Sequence, residues 1–397
     1  MQRSYREAIS LLTVLVLALA LAPQASGQPE EPKEPAKPAT LVKPQRPEMP
    51  PAEKAVVATA NGAINRGLAF LKKTQAEDGS WFAKAGPGVT AMIVRGFLAH
   101  PDYTTESPVV AKALAYVLKF VKPDGGIYDT GHKNYHTAIC LMALFDADKV
   151  KYFKQIKGAQ RFLKQLQWDE GEGIEDSDTR YGGAGYGSHK RPDMSNTSFF
   201  LEALFETGLP ADDPVFKKAL KFVSRSQNLG ETNDQEWAAV INDGGFIYTP
   251  WEQDKNMSKA LSVVLPDGRK GWRSYGSMTY AGFKSYVYAR VARDDKRVKG
   301  AYDWIRANYD LNNNPNMGKQ GLYYYYYVFA KGFRAYGVPV IKDTRGVEHD
   351  WRKDLVEKLA ELQAKDGSWV NAADRWMEGD PALVTAYCVL ALQETLK

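Results

Sequence analysis

Apolar positions along this chain follow two alternating patterns, and each pattern predicts an α-helix. Segments with apolar residues on one face and charged residues on the other are followed by segments that are apolar nearly all round. A helix of the first kind belongs at a surface, and one of the second kind belongs inside. The first kind is predicted at Ala63–Leu71, Val110–Val121, Gly158–Leu166, Pro214–Ser226, Arg297–Ala307 and Trp351–Leu362, and the second kind at Val89–Ala99, Ile139–Phe145, Phe199–Glu206, Thr279–Ala292, Tyr323–Tyr336 and from Val384 onwards.

The two patterns recur as six helix pairs at intervals of roughly 50 to 60 residues, which is the signature of a repeat architecture. A ring satisfies both patterns if the amphipathic helices lie outside, the apolar helices lie inside and neighbouring pairs stack on each other. Outside short glycine-flanked turns the chain has almost no strand periodicity. The sequence therefore predicts an all-α fold, an (α/α)6 toroid of six helical hairpins with inner and outer helix rings.

The N-terminus has the pattern of a targeting segment. Arg3 and Arg6 precede the apolar run Leu11–Ala22, and small residues follow at Ala25–Gly27. This order predicts a signal peptide over residues 1–27 and export to the periplasm or beyond the cell, with an uncleaved N-terminal anchor as the alternative. The run is too short for a stable membrane span, which needs about 20 residues.

Residues 28–54 are rich in proline and lack aromatic residues, so they are predicted to form an extended linker, with the toroid domain over residues 55–397. The 52 basic and 47 acidic residues leave a net charge of +5 without a basic cluster, which argues against a nucleic-acid partner. Cys140 and Cys388 lie in apolar helical patterns and are predicted to be buried and unpaired. No spacing suggests a metal site or a cofactor.

The turns carry a resemblance to a known family. The segments Gln75–Trp81 (QAEDGSW) and Gln363–Trp369 (QAKDGSW) resemble the QW motifs of squalene cyclases and related prenyltransferase repeats, and Asp124–Gly126 and Asp243–Phe246 look like degenerate copies. The resemblance covers roughly residues 60–395, and the segments 276–286 and 314–333 are similar to those of exported bacterial members. It implies a terpenoid cyclase-like toroid in which the glycine permits a tight turn and the Gln and Trp residues clamp adjacent hairpins.

The same resemblance locates a possible reaction centre. In squalene-hopene-type cyclases an Asp-x-Asp-Asp motif precedes the Thr that opens an inner helix, and its middle Asp protonates the substrate. Aligned on Thr197, this chain keeps the first acid as Asp193 but has Ser195 and Asn196 at the other two acidic positions. A serine hydroxyl cannot protonate an alkene, so the standard initiation chemistry is predicted to be absent. Arg191 is expected to favour the ionised form of Asp193.

In a toroid the inner helices run in one direction, so their N-termini meet at one mouth. A Thr near each start (Thr90, Thr137, Thr197, Thr279 and Thr385) is interpreted as a helix N-cap. The residues expected to perform catalysis at this mouth are Asp193, His136 and Tyr280. The residues expected to bind substrate are Tyr135, Tyr186, His189, Arg191, Asn196, Trp272, Arg273, Tyr275, Tyr323 and Tyr326. Tyr323, Tyr326 and Tyr327 are expected to share one face of their helix.

Three functions remain open at this point. The first is binding of, or action on, an isoprenoid-like apolar ligand in an aromatic central cavity, through a non-standard acid such as Asp193. The second is a non-catalytic binding or scaffold module. The third is a polysaccharide lyase-like enzyme acting on a glycan, with His136 or Tyr280 as base and Arg273 or Arg191 as the charge-neutralising group.

Overall fold

The computed structural model describes residues 44–187, 191–251 and 262–397. The predicted signal peptide and most of the predicted linker lie outside these residues, as does His189. Helices predominate in the described part of the chain, and its strands are short. None of the helices in these ranges is long and apolar enough to cross a membrane.

The helices alternate between an outer and an inner ring. The outer helices are α1 (Lys54–Lys73), α3 (Pro108–Leu118), α5 (Phe153–Gln165), α7 (Pro214–Arg225), α10 (Lys296–Ala307) and α12 (Trp351–Leu362). The inner helices are α2 (Pro87–Leu98), α4 (Lys133–Asp148), α6 (Met194–Glu206), α9 (Gly276–Tyr288), α11 (Leu322–Tyr336) and α13 (Pro381–Thr395). Each inner helix packs on the next in chain order, and α13 packs on α2. The ring is therefore closed, and the predicted (α/α)6 toroid is confirmed.

Short secondary-structure elements lie in the connections between the helices of this ring. A short helix α8 (Ala238–Ile241) precedes an antiparallel pair formed by β1 (Ser262–Val264) and β2 (Lys270–Trp272), in which Val263 lies opposite Gly271. A second antiparallel pair, β3 (Val340–Lys342) and β4 (Glu348–Asp350), connects α11 to α12. The thiols of Cys140 and Cys388 are buried and unpaired, as predicted.

The repeated glutamine joins neighbouring hairpins. Gln75 Nε2 donates to the carbonyl of Gly79 in its own turn (3.0 Å) and to that of Val109 in the next outer helix (2.9 Å). Gln363 repeats the arrangement across the ring closure, with Gly367 (2.9 Å) and with Ala63 of α1 (3.0 Å). Gln167 and Gln227 make equivalent pairs of hydrogen bonds. The same chemical contact therefore recurs where the turn sequence itself has diverged.

The interpretation of the repeated threonines as N-caps is wrong. Each lies within the first turns of its inner helix, and its hydroxyl accepts a hydrogen bond from a backbone N–H of the preceding turn, as between Trp81 N and Thr90 Oγ1 (3.1 Å). The same contact is made by Thr137, Thr197, Thr279 and Thr385. The threonine thus fixes the turn to the inner helix instead of accepting a hydrogen bond from the free N–H groups at the helix N-terminus.

Residues 44–53, which the sequence assigned to an extended spacer, pack against the ring. Arg46 forms ion pairs with Glu206 and Glu394 at the C-terminal ends of α6 and α13. Arg352 Nη1 donates to the carbonyl of Pro50 (2.6 Å), and Arg334 Nη1 donates to that of Pro47 (2.7 Å). These contacts close the end of the ring that lies opposite the N-termini of the inner helices.

Candidate functional site

Three hydroxyl groups meet at the N-terminal mouth of the inner ring. Ser195 Oγ, in the first turn of α6, lies 2.5 Å from the hydroxyl of Tyr135 on α4 and 2.8 Å from that of Tyr324 on α11. Ser195 is only 6% exposed, whereas both tyrosines are partly accessible. The position at which the cyclase motif carries its proton-donating acid therefore holds a serine that is hydrogen-bonded by two phenols.

Aromatic rings form the floor beneath these hydroxyls. The ring of Phe199 stacks with that of Tyr327 (centroids 6.0 Å apart) and contacts that of Tyr135 (5.0 Å). Tyr387 of α13 contacts Tyr324 at 5.9 Å and Tyr327 at 5.6 Å. Four inner helices thus contribute to one aromatic bowl that opens at the mouth. We call this bowl, together with Ser195, the mouth site.

Asp193 lies beside the mouth site as the N-cap of α6. Its Oδ1 accepts a hydrogen bond from Asn196 N, and its Oδ2 accepts one from Asn196 Nδ2, both at 2.9 Å. Asn196 is held in turn by Asn134, whose Nδ2 donates to the Asn196 carbonyl at 3.0 Å. Both carboxylate oxygens are therefore occupied by the polypeptide itself.

The expectation that Arg191 favours the ionised form of Asp193 is confirmed, but burial has the larger effect on this carboxyl group. Arg191 Nη1 does lie 3.7 Å from Asp193 Oδ2 and favours the charged form. However, complete burial raises the pKa of Asp193 to about 6, and the hydrogen bonds from Asn196 together with Arg191 offset only part of this rise. The carboxyl group is therefore partly protonated in mildly acidic solution.

This shift predicts a pH-dependent stability that is specific to Asp193. Because its folded pKa of about 6 exceeds its unfolded value of 3.8, the folded state binds more protons between these values, and stability falls as the pH rises from 3.8 to 6. We expect this group to contribute a loss of roughly 1–3 kcal/mol over that interval. In Asp193→Asn that contribution should vanish while Asn still caps the helix. Urea unfolding at pH 4, 5, 6 and 7 measures it, and an unchanged pH profile in the variant would contradict it.

Tyr186 and Arg191, two of the residues predicted to bind substrate, line one side of the mouth. The hydroxyl of Tyr186 lies 3.3 Å from that of Tyr248, and the guanidinium of Arg191 lies over the Tyr248 ring at 4.9 Å. The ring of Tyr186 contacts Tyr135 at 5.7 Å. Tyr275, the N-cap residue of α9, is buried nearby, and its pKa is raised far above the usual value by burial and further by Tyr324 and Asp193.

His136 lies at the edge of this region, in the first turn of α4. Its imidazole packs against the start of α2, where a Cβ on Gly86 would lie 2.4 Å from His136 Cε1. Burial and the neighbouring His132 lower the pKa of His136 to about 4, so the ring is neutral at pH 7. This placement matches a histidine packed into the helix junction. The ring centroid of His132 lies 5.9 Å from that of His136 and 5.0 Å from that of Tyr186.

Five of the residues proposed from the sequence lie elsewhere. Tyr280 is fully buried between α9 and α11 against Phe329 and Phe333, on the side of the outer helices. Trp272 packs on Trp237 in a separate small cluster, and Arg273 beside it is exposed. Tyr323 and Tyr326 line a different cavity of about 510 Å³ between α11 and α12. The helix α11 therefore presents Tyr324 and Tyr327 to the mouth site. The prediction that Tyr327 shares a face with Tyr323 and Tyr326 is wrong.

Charged residues fill the ring below the aromatic floor, although the inner helices were predicted to be apolar. Lys331 Nζ lies 2.9 Å from Glu202, 3.2 Å from Glu206 and 3.1 Å from Glu394. Lys284 Nζ lies 2.5 Å from the other oxygen of Glu202, and Arg95 pairs with Glu206 (2.6 Å) and Asp146 (2.7 Å). We call these groups the central ion network: Arg46, Arg95, Asp146, Glu202, Glu206, Lys284, Lys331 and Glu394.

The network determines the charge state of its members. Burial alone would raise the pKa of Glu202, but Lys284 and Lys331 lower it to about 2. Burial would likewise lower the pKa of Lys331, yet Glu202, Glu206 and Glu394 raise it well above the usual value. Lys284 Nζ also lies 5.5 Å below the ring of Phe199 and 5.8 Å from that of Tyr327. Burial lowers the pKa of Lys284, and Glu202 opposes part of that fall. The floor of the mouth site therefore rests on the amine of a buried lysine.

A further acid, Glu378, was not singled out from the sequence. It is 1% exposed, and its carboxylate accepts hydrogen bonds from Tyr324 N (2.7 Å) and Asn371 Nδ2 (2.7 Å). Burial raises its pKa.

In the sequence, the spacing of Tyr324, Tyr327 and Lys331 places them on one helical face. A lysine within an apolar helix could have identified that face as the one directed inwards.

Comparisons with known proteins agree with this architecture. Residues 85–249, which include Asp193–Thr197, match the family model of the squalene-hopene cyclase C-terminal domain. The type II terpene cyclase MstE from Scytonema, in a variant bound to its substrate geranylgeranyl dihydroxybenzoate, has a TM-score of 0.53 at 12% identity over 87% of this chain and 99% of that chain. A D-mannose isomerase has a TM-score of 0.54 at 11% identity over 85% and 97%. No curated protein sequence matches significantly.

At these identities the structural neighbours show the fold alone, and that fold is an α/α toroid. Within this class, residues 85–249 resemble the squalene-hopene cyclase C-terminal domain.

Proposed function

We propose that the mouth site binds an isoprenoid-like apolar ligand and does not start a cyclisation by protonating it. The observation that carries this proposal is Ser195, which stands at the position of the cyclase acid and is hydrogen-bonded by Tyr135 and Tyr324 above the ring of Phe199. The bowl offers ring faces to an apolar chain and hydroxyl groups to a polar end. In this proposal the segment 1–27 directs the domain out of the cytoplasm.

The chemistry of the available acids supports binding without protonation. Protonating an alkene requires a strong acid, and burial raises the pKa of Tyr135 and Tyr324 above their usual phenol values. Asp193 has a pKa of about 6, but both of its oxygens already accept hydrogen bonds from Asn196. No described group at the mouth therefore combines a free proton with the necessary acidity.

The exposure of the aromatic rings supports an apolar occupant. The rings of Tyr135, Tyr324 and Tyr387 are partly accessible, while Phe199 and Tyr327 beneath them are 1% exposed. Partly exposed aromatic faces with a few convergent hydroxyls are typical of small-molecule sites. A lyase-like reaction is less well supported, because Tyr280 lies in the core and Arg273 is exposed beyond the mouth.

Native mass spectrometry of the protein purified from its own host tests this proposal. We expect a co-purifying apolar molecule in the wild type and at least about tenfold less of it in Tyr324→Ala, which removes one wall of the bowl. The matched control is Tyr336→Ala, because Tyr336 is a partly buried tyrosine at the other end of the same helix and packs on Phe283 (4.8 Å).

Two results would contradict the proposal. One is an empty wild-type protein that also fails to bind added C20 or C30 isoprenoids. The other is a cyclised product whose formation is abolished by Asp193→Asn, since that would make Asp193 an initiating acid.

A further inference from the structure

The segment Asn371–Asp380, which we call the rim loop, presents two large side chains to solvent beside the mouth. Trp376 (φ 59°, ψ 34°) and Met377 (φ 66°) are consecutive non-glycine residues in the left-handed region. Side chains are unfavourable in that region, and such outliers cluster at ligand contacts. Trp376 is nevertheless 44% exposed and Met377 is 51% exposed, so the strain is not compensated by burial of these side chains.

The rim loop is held firmly to the start of α11. Asn371 N donates to the Glu378 carbonyl at 2.9 Å, and the Glu378 carboxylate accepts from the backbone N–H groups of Tyr323 and Tyr324. The Trp376 ring lies over Gly321, where an added Cβ would be 3.0 Å from Trp376 Cζ3. The exposed tryptophan is therefore fixed next to Tyr324 of the mouth site.

Arg375 extends this surface towards the mouth. Its guanidinium stacks on Trp376 at 4.5 Å, and Nη1 donates to the neutral amide oxygen of Gln320 at 2.8 Å. Burial raises the pKa of Tyr275, and Arg375 is close enough to oppose that rise. Among the residues that the structure describes, Arg375 has no carboxylate partner.

Three carboxylates beside the mouth are occupied by helix ends. Asp193 caps α6, and Asp380 caps α13 by accepting from Ala382 N (3.0 Å) and Leu383 N (3.1 Å). The Glu378 carboxylate likewise accepts a hydrogen bond from Tyr324 N in the first turn of α11. Arg375 is therefore an available cation at a mouth where six helix N-termini, each a positive dipole end, converge.

We infer that the ligand of the mouth site carries an anionic head group, a carboxylate or a phosphate, which Arg375 binds while Trp376 covers the adjoining apolar part. This inference rests on the proposed function and adds the ligand class, an amphipathic anion. A planar guanidinium presents paired N–H donors that match both head groups, and its stacking on an aromatic face preorganises it.

Equilibrium dialysis of the purified protein with three probes of equal chain length tests the inference: geranylgeraniol, geranylgeranyl monophosphate and the corresponding C20 carboxylic acid. We expect at least one of the two anions to bind at least about tenfold more tightly than the alcohol. In Arg375→Gln this preference should disappear while the affinity for the alcohol is unchanged. Trp376→Leu should weaken the binding of all three probes.

The matched control is Arg345→Gln. Arg345 is 75% exposed in the turn between β3 and β4 and pairs with Asp343, so its loss should leave the preference intact. Preference for only one anion supports the inference and identifies the head group. Two results overturn the inference and leave the proposed function standing. One is equal affinity of the wild type for all three probes, and the other is an equal loss of affinity for all three probes in Arg375→Gln. If none of the three probes binds, both the inference and the proposed function are overturned.

Discussion

Replacing Lys331 by methionine should destabilise the protein by about 3–5 kcal/mol, because it removes one partner from a buried ion cluster. Lys331 is 2% exposed, and its ammonium group lies within 3.2 Å of Glu202, Glu206 and Glu394. Methionine fills a similar volume but leaves these carboxylates without a shared cation in the middle of the ring. Urea or thermal unfolding at pH 7 measures the loss.

The loss of stability on acidification should become smaller in the same variant. In the wild type the pKa of Glu202 is lowered to about 2, so this group stabilises the fold above its unfolded value of 4.5 and loses that contribution as the pH falls towards 2. Without Lys331, the carboxylates keep their other cations but their pKa values rise relative to the wild type. The variant should therefore lose less stability than the wild type as the pH falls from 7 towards 2.

The control for this prediction is Lys221→Met. Lys221 pairs with Asp176 at 2.5 Å, but the two side chains are 35% and 63% exposed, and a surface pair contributes less than about 1 kcal/mol. Equal effects of the two substitutions, or a Lys331→Met variant without its own pH trend, would show that the central ion network does not stabilise the ring as described.

Substituting alanine for Gly367 should cost about 2–5 kcal/mol and loosen the closure of the ring. Gly367 has φ +91°, and an added Cβ would lie 2.4 Å from the carbonyl oxygen of Arg66 in α1. The outer helices α1 and α12 meet at this contact, which joins the last hairpin to the first. We expect a lower unfolding midpoint and faster amide exchange in α1, measured by hydrogen exchange with mass spectrometry.

Gly346→Ala separates the two causes of that loss. Gly346 has nearly the same backbone conformation, φ +89°, but the nearest atom to its added Cβ is Lys342 Cε at 3.8 Å. This control carries only the strain of a left-handed alanine, about 1–2 kcal/mol. If both variants lose the same stability, the close approach between hairpins contributes nothing, and the ring closure does not depend on Gly367.

The arrangement of the mouth could be predicted only in part. Asp193, Asn196, Tyr135, Tyr186 and Arg191 are brought together there as the sequence indicated, because each lies in or just before the first turn of an inner helix or in the loop before one. Tyr280 also lies near the start of its helix, yet it turns towards the outer ring. The position of a residue in the sequence determines its height along the axis of the ring. The direction of its side chain depends on the rotation of the helix about the helix axis.

The sequence by itself determined the fold of this protein. Its alternation of amphipathic and apolar segments, together with the repeated glutamine and glycine of the turns, is local information that defines each hairpin and its packing on the next. The tertiary structure alone decided which charges meet at the axis. Lys331 pairs with Glu202, which is far away in sequence, and Arg46 joins Glu206 from a segment that looked like a linker. Such pairs need the closed ring, because burial makes each charge depend on partners from other helices.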